Sequence, residues 1–324
     1  MHRPSNRAFA LIDAAAVLGV VGILVCVAAT VLTRPRALAS LEHTVSNLKQ
    51  IADAVVQYGP DSADKAPAFS WTKTNCPSSF ADLKTASTDI EAAANQFTDI
   101  VRRRSNVPAF AKIASLTPHF SYSHLVLADY LNVPAPLLIG ISAEDKNLLK
   151  WSSDPSKWQQ NGAPNAQSAF RSSYELCFGM WSLTDSGAGA VSQDGLAYNT
   201  FSVPTSTVVG QRQLSTIAYP AHKAMAWDLY QRHFGPRVGF FMYDEARVPV
   251  ALFDGSVSLR AGRNSNNGWK PQAPTNSSFS SVLYQPAATD PPTLSGNASD
   301  TLRGRYRWTR RSVLGRDFDA GEIN

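Results

Sequence analysis

From Ala14 to Leu32 the chain reads AAAVLGVVGILVCVAATVL and carries no charge. A run of this length is about what a helix needs to cross a hydrocarbon core roughly 30 Å thick. The fold of the remainder is therefore expected to begin at a membrane. Phe9 to Ile12 extend the apolar stretch, and Asp13 interrupts it. Arg3 and Arg7 precede the run, and Arg34 and Arg36 follow it. Flanks so evenly basic give no orientation by the positive-inside rule. A cleaved secretory signal has a shorter apolar region and then a small-residue cleavage site; Ala37-Leu38-Ala39 offers a weak one. A lipoprotein signal needs a small residue before its cysteine, and Val25 precedes Cys26. Asp13 favours a retained anchor, because a carboxylate at the end of a membrane segment is costly and is usually paired or functional. The plainer alternative is an Asp13 that sits at the membrane interface and pairs with nothing.

Past the run, Leu38, Leu41, Val45, Leu48, Ala52 and Val55 recur at three-to-four spacing. Glu42, His43, Asn47, Lys49 and Gln50 fall between them. This pattern predicts an amphipathic helix that lays one stripe on a globular body, with His43 on its polar side and Gly59-Pro60 as its stop. An unbroken helix over 9–58 would be roughly 75 Å long.

The order Arg7-Ala8-Phe9-Ala10-Leu11-Ile12-Asp13, followed by an apolar helix, resembles the signal of type IV prepilins. The resemblance implies a leader at 1–8, removed by a prepilin peptidase between Ala8 and Phe9, and methylation of the new amine. It also implies a helix over 9–58, transmembrane over about 9–32, and an extracytoplasmic domain over 59–324. Ala8 stands where glycine is usual in that family, and Asp13 where glutamate is usual. Asp13 lies four residues after Phe9, on the same helix face. It is the residue expected to act in assembly, by pairing with the amine of an incoming subunit.

Downstream, 61–79 reads as a loop and 80–104 as a helix, with Leu83, Ile90, Ala94, Phe97 and Val101 on one face and Arg102-Arg103-Arg104 at its C-terminus. From Phe170 onward the pattern becomes β-like. The runs 173–178, 201–203, 224–228 and 248–253 are expected strands, with 206–209 a looser one. Asp254-Gly255 then joins 248–253 to 256–259 as a hairpin, because glycine supplies the positive φ of such a turn. Long polar loops are expected over 263–281 and 285–300. The fold class is therefore α+β, with a long N-terminal helix packed on an antiparallel sheet.

The segment Leu252-Phe253-Asp254-Gly255-Ser256-Val257, with Ser172-Ser173-Tyr174 and Trp227-Asp228 upstream, resembles the hairpin region of large type II secretion G-like pseudopilins. Together the two resemblances imply a structural subunit of a type IV pilus-like or type II secretion pseudopilus filament. Its expected partners are the prepilin peptidase, other pilin or pseudopilin subunits and the inner membrane. Its expected place is a single-pass anchor with the globular domain in the periplasm or at the cell surface. A membrane-tethered binding domain that does not polymerise is the alternative. Some pseudopilins of this kind hold calcium on C-terminal oxygen ligands, which draws attention to Tyr243-Asp244-Glu245 and to Asp317, Asp319 and Glu322. None of these spacings matches an EF-hand.

Catalytic motifs are absent from the sequence: it contains no G-x-S-x-G elbow, H-E-x-x-H, phosphate loop or C-x-x-C. The expectation is a protein that is not an enzyme and needs no cofactor. Beyond Cys26, Cys76 and Cys177 are the remaining cysteines, a candidate disulfide in an oxidising compartment. His119 and His124 are five residues apart, a spacing unsuited to a shared metal. The net charge of +5 is diffuse except at 102–104 and in the C-terminal stretch. Arg303-Gly304-Arg305-Tyr306-Arg307-Trp308-Thr309-Arg310-Arg311 is the one run with the basic and aromatic interleaving of a nucleic-acid binder; a terminal packed segment is the expected reading, and no nucleic-acid partner is expected.

Overall fold

The computed structural model describes residues 17–18, 37–105, 107–113, 116–131, 133–185, 187, 190–193, 197–199, 201–202, 210–269 and 280–319. Most of the apolar run, together with Asp13 and the processing pair Ala8 and Phe9, lies outside the described residues. Among the described residues no helix is long and apolar enough to cross a membrane. The architecture is α+β with an antiparallel central sheet.

The described part of the N-terminal helix, α1, covers residues 37–61, about 37 Å at 1.5 Å per residue. Leu48, Ile51, Ala52 and Val55 enter one core cluster with Met225, Trp227, Val248, Val250 and Leu252 of the sheet. Upstream of Leu48 the buried face departs from the expected stripe. Ser40, Thr44 and Asn47 are the buried residues there, while Leu38 is 57% exposed and Leu41 and Val45 are half-buried. The body offers polar groups at this height: Asn47 donates to Ile141 O at 3.1 Å and Tyr174 Oη at 3.3 Å, and Thr44 Oγ1 meets Ser142 Oγ at 3.2 Å. A polar residue with such partners is buried at little cost, so the helix turns that side inward. The helix also outlasts the expected Gly59-Pro60 stop. Ser62 and Asp64 N–H both close on Gly59 O, and Ala63 and Asp64 take positive φ. Proline at 60 removes one donor within the last turn and leaves the rest intact.

The ten described strands are β1 (Tyr174–Leu176), β2 (Ser192–Gln193), β3 (Phe201–Ser202), β4 (Ala224–Asp228), β5 (Tyr230–Gln231), β6 (Gly239–Phe240), β7 (Arg247–Leu252), β8 (Val257–Ala261), β9 (Ser281–Tyr284) and β10 (Asp300–Arg303). The central sheet has the order β1-β4-β7-β8. Every residue of β4 is buried, as suits an inner strand covered on both faces; that is why its sequence, AMAWD, does not alternate. The β7–β8 hairpin forms as expected, with Ala251 opposite Val257 and Gly255 at φ +82°. Lys49 Nζ of α1 donates to Gly255 O at 3.1 Å, fastening helix to hairpin.

The second helix, α2, runs from Asp89 to Arg104 and not from Phe80. Thr88 Oγ1 accepts from Glu91 N at 3.1 Å, and Glu91 Oε2 accepts from Ser87 N at 2.7 Å. This reciprocal cap sets the start and leaves Ala81–Leu83 as a separate 3-10 turn. Phe97 and Val101 of α2 form a second core with Phe110, Tyr122, Leu125 and Phe170. Ile141, Leu148, Trp151 and Ala163 make a third around the short helix Lys146–Ser152.

The C-terminal stretch is packed inside. Arg305, Tyr306, Arg307 and Trp308 are buried. Arg307 Nε reaches Glu175 Oε1 at 2.6 Å, its Nη2 meets Oε2, and its Nη1 donates to Tyr198 O at 2.6 Å. The rings of Phe120, Phe178, Phe240 and Phe241 surround this guanidinium at 5.3 to 5.7 Å. Burial nonetheless pushes the Glu175 carboxyl up from its ordinary range. Arg305 pairs with Asp244. These two arginines are therefore spent on carboxylates and present no phosphate-binding face.

Candidate functional site

Several residues singled out by sequence resolve into structural roles. Asp254 Oδ1 accepts from Ser256 N at 2.9 Å and Ser256 Oγ at 2.7 Å, the chemistry of a turn. Cys76 and Cys177 are both free, which corrects the expected bridge. Cys177 is buried among the sheet core, where burial raises its thiol pKa. Cys76 is half-buried in a separate loop and donates to Thr72 O at 3.2 Å, so the two thiols have different surroundings. His119 and His124 are buried, and desolvation lowers both to a pKa of about 3; they are neutral core residues. Three of the acids considered for calcium are engaged by cations: Asp317 by Lys223, Asp319 by Arg260 and Asp244 by Arg305. Glu322 lies outside the described residues. Among the described residues no group of His, Cys, Asp or Glu side chains converges to hold a metal.

Two features remain that could serve partners or ligands. The first is the outer face of α1. Leu38, Leu41 and Val45 lie at i, i+3 and i+7, one ridge of the helix, turned away from the buried seam of Ser40, Thr44 and Asn47. His233 holds this seam from the body side: its Nε2 lies 3.1 Å from Thr44 Oγ1 and its Nδ1 3.4 Å from Ser40 Oγ. Burial first, and then the neighbouring Arg232, lower the His233 pKa. A neutral ring can accept from one hydroxyl and donate to the other. Behind it, Arg232 pairs with Asp145 at 2.5 Å and with Asp228, whose carboxyl burial pushes up to about 6.

The second is a trough on the body. One half, about 590 Å³, lies between the helix Lys146–Ser152, the segment leading into β1, and residues 288–292. The other half, about 520 Å³, is lined by Phe120, Tyr122, Tyr198 and Phe201 among others. Arg171, Leu229, Tyr230, Thr289 and Asp290 line both halves, so the two are continuous. Tyrosines fix the rim. Tyr198 and Tyr230 hydroxyls donate to the two oxygens of Asp290, the latter at 3.2 Å, and Tyr284 Oη donates to Pro291 O at 2.5 Å. Under them Phe240 and Tyr284 stack with centroids 4.7 Å apart. Burial and the Asp290 charge raise the Tyr198, Tyr230 and Tyr284 pKa values, so these hydroxyls stay protonated as donors. The sequence held no signal for this trough. Its residues come from segments scattered between 116 and 292, and no local spacing connects them. No known protein family, curated protein or solved structure matches this chain.

Proposed function

We propose that the chain is a structural, non-catalytic subunit of a type IV pilus-like or type II secretion pseudopilus filament, anchored by its N-terminal helix in the inner membrane with its body in the periplasm or at the cell surface. One observation carries the reading most. The helix α1 packs its downstream half on an antiparallel sheet, yet leaves Leu38 exposed and Leu41 and Val45 only half-covered just after the apolar run. A body that buries one face of a helix and covers the next apolar ridge only in part suits lateral packing of helices from several subunits, ridge against groove. The prepilin-like order around Ala8 and Phe9 supplies the anchor and the free amine. Asp13 supplies the opposite charge that offsets the cost of an amine in hydrocarbon.

The test is Asp13→Ala in the native cell. The variant stays in the membrane and is cleaved after Ala8, but filaments are lost. Normal filaments from a normally expressed and cleaved variant would remove the assembly role of Asp13. The trough favours a second reading, a tethered binding domain that never polymerises; under it Asp13→Ala has no effect, and no filament forms from the wild type either.

A further inference from the structure

We propose that the trough over Tyr230 and Asp290 is a binding site for an acidic saccharide, a polyhydroxylated chain bearing a sugar carboxylate. Each half of the trough, about 590 and about 520 Å³, falls in the range of small-ligand clefts, roughly 300–1,000 Å³. Arg171 stands in both halves, and its guanidinium makes no hydrogen bond or ion pair among the described residues. Of the other arginines here, Arg232 and Arg307 are each taken by carboxylates, and Arg237, which lines one half, donates to Leu294 O at 3.4 Å. An unpaired guanidinium facing a cleft fits a ligand carboxylate two-pronged.

The remaining groups suit hydroxyls. Asp290 already accepts from Tyr198, Tyr230 and Ala287 N, three of about four lone-pair positions on a carboxylate. The position left on Oδ1 can take one sugar hydroxyl. Asn199 and Thr117 add neutral donors and acceptors. Phe120, half-buried at the trough wall, gives a ring on which the apolar side of a sugar ring can lie. The pinned tyrosines hold these groups before any ligand arrives, which lowers the ordering cost of binding. A peptide added as a strand would need open backbone. The wall offers none at its centre, because Ser172 N and Ser173 N are already bonded to Ser121 O and Gly140 O.

The experiment is calorimetric titration of the full chain in detergent with trigalacturonic acid, its fully methyl-esterified form and an acidic tripeptide. The wild type is expected to bind the acid at least tenfold more tightly than the ester, a difference of about 1.4 kcal/mol. Arg171→Gln removes that preference while near-ultraviolet circular dichroism stays unchanged. Thr289→Trp, at an exposed position that both halves share, fills the trough and abolishes binding of both sugars. If Arg171→Gln does not fold, the acid-to-ester ratio in the wild type and the loss in Thr289→Trp decide the matter. The proposal is overturned if the wild type binds neither sugar, if folded Arg171→Gln binds as the wild type does, or if the tripeptide binds more tightly than the acid.

Discussion

Glu175 and Arg307 show how single residues hold this body together. Both side chains are almost fully buried and meet through two hydrogen bonds inside a ring of aromatic side chains. Removing one partner strands a charge in apolar surroundings. Arg307→Met is therefore expected to cost about 3–5 kcal/mol in urea unfolding, whereas Arg307→Met with Glu175→Leu recovers most of that loss. Equal destabilisation of single and double variants would contradict the pairing. Asp228 gives a pH dependence of known sign. Its carboxyl, raised from 3.8 to about 6 by burial, binds a proton more readily in the folded chain than in the unfolded one. Below about 4 the stabilising contribution of this group is fully present and does not vary with pH. As pH rises from about 4 to about 6 the fold loses stability, and above that the loss is complete. Asp228→Asn should flatten that part of the stability–pH curve; an unchanged slope would show that other carboxyls set it. The two free cysteines give a chemical check: Cys76 should react with a thiol reagent in the folded protein, and Cys177 only after unfolding.

Among the elements, the β7–β8 hairpin was legible from sequence because its cause is local. Two apolar runs flank Asp254-Gly255, and only glycine takes φ +82° there without strain. Gly255→Val is expected to lower stability by about 1–2 kcal/mol in thermal unfolding, with the sheet otherwise intact. The strands β9 and β10 were not legible. They are short, are flanked in sequence by polar segments and pair with each other across residues 285–299, so no long pattern or tight turn announces them. The start of α2 could have been read from Thr88 and Glu91, whose spacing is that of a cap. The buried face of α1 could not: Ser40, Thr44 and Asn47 are inside only because Ser142, Tyr174 and His233 meet them, and those partners lie about a hundred residues or more away. Polar burial decided by distant partners escapes any periodicity. The same rotation frees the ridge on the opposite side. Leu38→Ser, at the exposed position of the ridge, should leave the unfolding free energy within about 0.5 kcal/mol of wild type while reducing filament yield in the native cell. Filaments at wild-type yield would show that the ridge is not an assembly surface.

At the scale of the whole molecule, one helix packs on the body in two ways. Its downstream half is welded to the sheet by Leu48, Ile51 and Val55. Its upstream half is tied by a polar seam and continues in sequence into the uncharged run at 14–32. The body carries its own three cores and a tyrosine-pinned trough; under the proposed reading it presents a ligand face while the helix anchors it. The proposal that Ala8, Phe9 and Asp13 make this chain a filament subunit stands or falls on processing. The most direct measurement is mass spectrometry of the N-terminal peptide from protein isolated from its native cell. A mature chain that begins at methylated Phe9, with Ala8→Glu blocking the cut, is the expected result. A chain that begins near Ser40, or that keeps residues 1–8, would contradict the pilin-like assignment.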